Sequence, residues 1–132
     1  LANLAYCQEG SLYVECATVG GVRLPTIVDG RNAGVAGALP PSLGELGPSL
    51  TLLGLRENAI TSVPTELGAL TGLERLNLYG NAITSVPSEL GALAGLTYLY
   101  LEGNQLTGVP TEFRTWGPSS YCGLYDNPGF SC

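Results

Sequence analysis

The chain has 132 residues and a mass of 13.7 kDa, enough for one domain with a real core and too little for two catalytic lobes. Eleven acidic residues against five arginines give a net charge of -6 and a pI near 4.3, which argues against a duplex nucleic-acid binder. Histidine, lysine and methionine are absent, so no imidazole base, Schiff-base amine, P-loop lysine or histidine metal ligand can be assembled.

Apolar residues make up 45% of the chain, in short runs broken by Gly and Pro. None approaches the roughly 20 residues that span a bilayer, so membrane insertion is not expected. The chain opens Leu1-Ala2-Asn3 without Met or a charged leader, as a processed secretory protein or a recombinant fragment would. Near the amino end, Tyr6 to Cys16 predicts two short strands around a turn containing Gly10. They belong to a cap hairpin over residues 1–23, with Leu12 and Val14 covering the next unit. Residues 24–118 then repeat. Val35 to Leu46 begins a unit, and the Pro40 to Pro64 spacing is 24; the register before Val35 is ambiguous. From there the period is 23, placing Asn58, Asn81 and Asn104 in one column. Leu50, Leu53, Leu55 and Ile60 align with Leu73, Leu76, Leu78 and Ile83, then with Leu96, Leu99, Leu101 and Leu106. Each block is followed by Thr-Ser/Gly-Val-Pro and then, twice, by Glu-Leu-Gly-Ala-Leu; the third copy has Glu112-Phe113-Arg114-Thr115-Trp116 instead. A last step of 23 reaches Asn127, with Cys122 and Leu124 in leucine columns. Residues 119–132 therefore predict a closing half-coil, a carboxyl-terminal cap.

This LxxLxLxxNxL pattern resembles the leucine-rich-repeat family over roughly residues 24 to 132. Val35 to Pro40 is similar to the plant-type LxGxIP form, and the TSVPxELGxL copies to repeats of algal and protist secreted or surface proteins. The resemblance implies a single-domain α/β solenoid of about four to five coils: a short horseshoe with a parallel sheet on the concave face and helical or 3₁₀ turns on the convex face. It also implies protein binding on the concave side.

Elementary geometry points the same way. Leu76-Asn77-Leu78 alternates, placing leucines on one face of a strand and Asn77 on the other. Asn58, Asn81, Asn104 and Asn127 are expected to form a structural ladder, capping backbone groups at the turn that leaves each strand. Leu67 and Leu70, like Leu90 and Leu93, are three apart, which suits a single 3₁₀ turn.

Four cysteines in terminal pairs point to cystines and an oxidising compartment, whereas metal binding favours CxxC spacing and usually a histidine. A solenoid holds its ends about four strand spacings of ~4.8 Å apart, beyond the ~7 Å Cα limit for a bridge. The expected pairs are Cys7 with Cys16 and Cys122 with Cys132. Phe113, Trp116 and Phe130 are expected to cover the last leucines.

Strand residues pointing away from the core vary between copies. They are Leu52, Gly54 and Arg56; Arg75, Asn77 and Tyr79; Tyr98, Tyr100 and Glu102; Tyr121, Gly123 and Tyr125, and they hold five of the seven tyrosines. Tyrosine suits exposed strands for structural reasons alone. Yet Tyr and Arg are also typical hot-spot residues, so a partner-binding face is expected at Arg56, Arg75, Asn77, Tyr79, Tyr98, Tyr100, Glu102, Tyr121 and Tyr125. The partner would be a protein, or a second copy of the chain around a two-fold axis, and less readily a glycan. An enzyme would have to use carboxylates alone, such as Glu102 with Asp126, and nothing at that spacing requires it; no cofactor, metal or catalytic residue is expected. The rows Thr61, Thr84, Thr107 and Ser62, Ser85 suggest an ice- or glycan-contacting array, against the simpler expectation that these hydroxyls satisfy backbone groups at turns. The sequence thus predicts a secreted or surface interaction module. The alternatives are a structural, self-associating cell-surface protein and a receptor ectodomain fragment.

Overall fold

The structure, a computed structural model, describes residues 13–115 and 120–130. The strands in chain order are β1 (Tyr13–Val19), β2 (Val22–Asp29), β3 (Ala36–Ala38), β4 (Leu52–Gly54), β5 (Ala59–Ser62), β6 (Arg75–Asn77), β7 (Tyr98–Tyr100) and β8 (Tyr121–Gly123). Between them lie 3₁₀ turns at Pro41–Leu46, Thr65–Ala69, Ser88–Ala92 and Thr111–Thr115. One six-stranded sheet runs β1-β2-β4-β6-β7-β8, and β3 pairs with β5 in a small second sheet. All pairs in the large sheet are parallel except β1 with β2. Five stacked coils result, closed at the amino-terminal edge by β1.

The 23-residue period becomes lateral register. Leu53 pairs with Leu76, Leu76 with Leu99 and Leu99 with Cys122, so one leucine column fills the interior and strand alternation turns its neighbours outward. Leu50, Leu53, Leu73, Leu76, Leu78, Ile60 and Ile83 have no exposed surface, each contributing about 1.5–3 kcal/mol of burial. Prolines at 40, 64 and 87 precede the 3₁₀ turns with φ of -72°, -76° and -71°, values their rings already hold. The turns themselves pack closely. A methyl group on Gly44, Gly68 or Gly91 would run into Glu66, Glu89 or Glu112 of the next coil, the last two at 2.7 and 2.6 Å from the glutamate Cβ. Glycine at these three positions therefore fixes how near successive convex turns lie.

The asparagine ladder binds coil to coil. Asn104 donates from Nδ2 to its own Leu101 carbonyl at 2.9 Å and to Leu78 of the preceding coil at 3.0 Å. Its Oδ1 accepts the Ile83 N–H at 3.0 Å. Asn81 and Asn127 repeat this, and Asn58 accepts from two backbone groups, Ala33 and Val35. The residue before each ladder asparagine is left-handed, including Glu57 at φ 57° and Asp126 at φ 55°.

The ends differ in part from the sequence reading. Tyr6 to Cys16 falls largely outside the described residues, and a hairpin forms further on, with its turn at Gly20-Gly21. Its second strand, β2, is also the first strand of the solenoid. The register slips between Glu15 and Cys16, opposite Pro25, where a residue without an N–H is tolerated. Cys16 is disulfide-bonded; Cys7 lies outside the described residues. Cys122 carries a free thiol, and Cys132, its expected partner, lies outside the described residues. Being in register with Leu99, Cys122 turns its sulfur toward the core, half-buried, rather than outward. Phe113 is buried and Phe130 packs on the core, while Trp116 and Cys132 are outside the described residues.

Candidate functional site

The outward side of the large sheet carries three rows. Leu52, Arg75, Tyr98 and Tyr121 are laterally paired, as are Asp29, Gly54, Asn77, Tyr100 and Gly123. Backbone bonds from Glu57 to Tyr79, Gly80 to Glu102 and Gly103 to Tyr125 bring Arg56, Tyr79, Glu102 and Tyr125 into the third. All nine candidate residues thus share one face.

Their side chains interlock. The Arg75 guanidinium carbon stands 4.8 Å from the Tyr98 ring centroid, within cation–π range. Tyr98 stacks on Tyr100 with centroids 6.3 Å apart, and Tyr100 meets Tyr121 at 5.2 Å. Asn77 differs from its neighbours, since its Oδ1 accepts the Tyr79 N–H at 3.1 Å and so shapes its own strand end. Tyr79, Tyr98, Tyr121 and Tyr125 are 36–48% exposed.

Glu102 departs from the expectation of a surface charge, with only 2% of its surface exposed. Gly123 on the adjacent strand allows this, because a side chain there would collide with the Glu102 carboxyl group. Glu102 Oε1 accepts the Tyr121 hydroxyl at 2.8 Å, whereas Oε2 is buried without a hydrogen-bond partner. The hydrogen bond to Glu102, then desolvation and the carboxylate's charge, push the Tyr121 phenol up to about 12. Burial, then the same charge, pushes the Cys122 thiol up to about 11.

Sequence reading missed Asp29. It lines a pocket of about 240 Å³ with Leu52, Gly54, Arg56, Arg75, Asn77 and Tyr100. Its row could not be assigned while the register before Val35 was ambiguous. Asp126 lines a separate depression of about 550 Å³ with Asn104, Tyr125 and Phe130, at the solenoid end. A second expectation fails: Thr61, Thr84, Thr107, Ser62 and Ser85 are exposed, and their hydroxyls make no hydrogen bond among the described residues. Among the described residues no group of His, Cys, Asp and Glu could hold a metal, and no helix is long and apolar enough to cross a membrane.

Parallel coils, a leucine interior and an asparagine ladder define a leucine-rich-repeat solenoid. The leucine rich repeat family model matches residues 48–106, and the fold is that of leucine-rich-repeat ectodomains of plant receptors. It is similar to the ectodomain of the receptor kinase SOBIR1 from Arabidopsis thaliana, at 25% identity and a TM-score of 0.65, over 76% of this chain and 58% of that one. PEPR1 in its complex with AtPEP1 matches at 33% identity and TM-score 0.69, over 77% of this chain and 15% of that one. A plant ice-binding protein matches at 26% and TM-score 0.54, over 86% and 45%. The chain thus spans less than two thirds of these proteins. No curated protein matches it in sequence.

Proposed function

We propose that this chain is a non-enzymatic recognition module that binds a protein partner through its tyrosine-rich concave face. The observation that carries this is the contrast between the two sides of one sheet. Leu53, Leu76 and Leu99 are fully buried on one side, while Tyr79, Tyr98, Tyr121 and Tyr125 stand 36–48% exposed on the other. A tyrosine brings roughly 150–250 Å² of side-chain surface, so the patch supplies a large share of a half-interface of about 800 Å². The similarity to SOBIR1 and PEPR1, and the disulfide at Cys16, support an extracellular setting. A second copy of the chain is one candidate partner: Arg56 and Arg75 lie toward one end of the face and Glu102 toward the other, which suits a two-fold pairing.

The test is selection of binders from a displayed peptide library, together with sedimentation equilibrium, for the natural chain and Tyr98→Ala/Tyr100→Ala. Peptides that lose binding to the variant, or a dimer that dissociates, support the concave face; a dimer makes the second copy the partner. Binding or self-association unaffected by the substitutions refutes the reading.

A second reading comes from the exposed rows Thr61, Thr84, Thr107 and Ser62, Ser85, whose hydroxyls are free for an external lattice. Together with the similarity to a plant ice-binding protein, this supports ice contact. Thermal hysteresis in the natural chain that is abolished in Thr61→Val/Thr84→Val would establish it; its absence would eliminate it.

A further inference from the structure

We infer that the Glu102 corner of the concave face is a receptor for a basic side chain of the protein partner, a guanidinium or ammonium group held against tyrosine rings over a buried carboxylate. This rests on the concave-face reading and names the chemistry that the face selects. Glu102 lies between Tyr79 and Tyr125 in its row, and Tyr121 bonds to it from the next strand. Three exposed tyrosines thus adjoin one buried carboxylate, and the Tyr100 ring lies 5.2 Å from that of Tyr121.

Two observations make this a site rather than an incidental polar contact. Oε2 of Glu102 is buried with no hydrogen-bond partner, and among the described residues Glu102 forms no ion pair with an arginine. Buried charges are ordinarily paired, so the corner holds an unmet demand for a cation. Tyrosine rings attract cations through their electron-rich faces, and a negative charge beside them in a poorly solvated setting adds to that attraction. Gly123 is what lets the carboxylate lie there.

The same face already contains such a contact in miniature. Arg75 places its guanidinium 4.8 Å from the Tyr98 ring. The Glu102 corner offers more, with three exposed rings and a carboxylate, and no cation of its own. A chain with net charge -6 further favours a basic partner segment.

The experiment titrates the whole chain, carrying carbon-13 tyrosine rings, with N-acetyl-arginine methylamide and with its uncharged citrulline counterpart, read by NMR. The arginine probe is expected to shift the rings of Tyr79, Tyr121 and Tyr125, and citrulline to leave them in place. Glu102→Gln should weaken arginine binding roughly tenfold. If that variant unfolds, Tyr125→Leu, at an exposed position, should weaken it as well. Equal binding of citrulline, no arginine-induced shift, or affinity indifferent to both folded variants overturns the inference. Peptides that need Tyr98 and Tyr100 but tolerate arginine-to-citrulline replacement and Glu102→Gln would sink this inference alone. Arginine binding without any effect of Tyr98→Ala/Tyr100→Ala on partner capture would instead sink the broader reading.

Discussion

Neighbouring rungs of the asparagine ladder should be energetically coupled, and rungs two apart should not. The Leu78 carbonyl accepts from both Asn81 and Asn104, each at 3.0 Å, and the Leu55 carbonyl from both Asn58 and Asn81. In Asn104→Ala, the Leu78 carbonyl therefore keeps Asn81 and the Leu101 carbonyl keeps Asn127. Only the Ile83 N–H, bonded to Asn104, is orphaned, at about 1–3 kcal/mol. With the lost packing of a side chain that is 1% exposed, the single substitution should cost about 2–4 kcal/mol. Asn81→Ala/Asn104→Ala strips Leu78 of both donors, so the double variant should exceed the sum of the singles by about 1–2 kcal/mol. Asn58 and Asn104 share no carbonyl, and that pair should add within about 0.5 kcal/mol. Urea unfolding of the natural chain and the five variants, followed by circular dichroism and tyrosine fluorescence together, measures both cycles. Equal coupling in the two pairs, or additivity in both, would refute the shared-carbonyl argument.

Gly68→Ala should destabilise by about 1–3 kcal/mol in the same assay, because the added methyl meets Glu89. Glu57→Gly should stabilise by about 0.5–1 kcal/mol, since an exposed residue at φ 57° gives way to one without the left-handed penalty. Tyr121 releases its proton near 10 when unfolded and near 12 when folded. The folded state thus binds the proton more tightly, and this contribution is complete below pH 10 and lost as pH rises to about 12. Tyr121→Phe should flatten the fall of the urea midpoint across that window. The Cys122 thiol, raised from 9 to about 11 by burial and then by the Glu102 charge, should react with a disulfide reagent at pH 8 far more slowly in the native chain than in urea.

The repeat was legible because it is written at constant spacing: leucine columns, ladder asparagines and outward triplets all follow from a 23-residue step and strand alternation. That logic placed Arg75, Tyr98 and Tyr121 side by side without any coordinates. It stopped where spacing stopped. The expected turn at Gly10 gave way to one at Gly20-Gly21, and β2 pairs within one sheet on both sides, antiparallel to β1 and parallel to β4, a dual role that no period marks. Asp29 was lost with it. Glu102 was assigned to the right row and the wrong depth, because its burial depends on a glycine 21 residues later and on one phenol. The inward turn of the Cys122 sulfur follows from its leucine column, which the spacing of the terminal cysteines alone does not show.

The convex glycines determine where the array can lengthen. Gly44, Gly68 and Gly91 each admit the glutamate backbone or side chain of the next turn, and the position 23 residues beyond Gly91 is Arg114. Another 23-residue copy inserted between existing coils would find a glycine on one side and supply one on the other. The solenoid is thus extensible from within, and each glycine, open to the turn that follows it, gives the stack a direction.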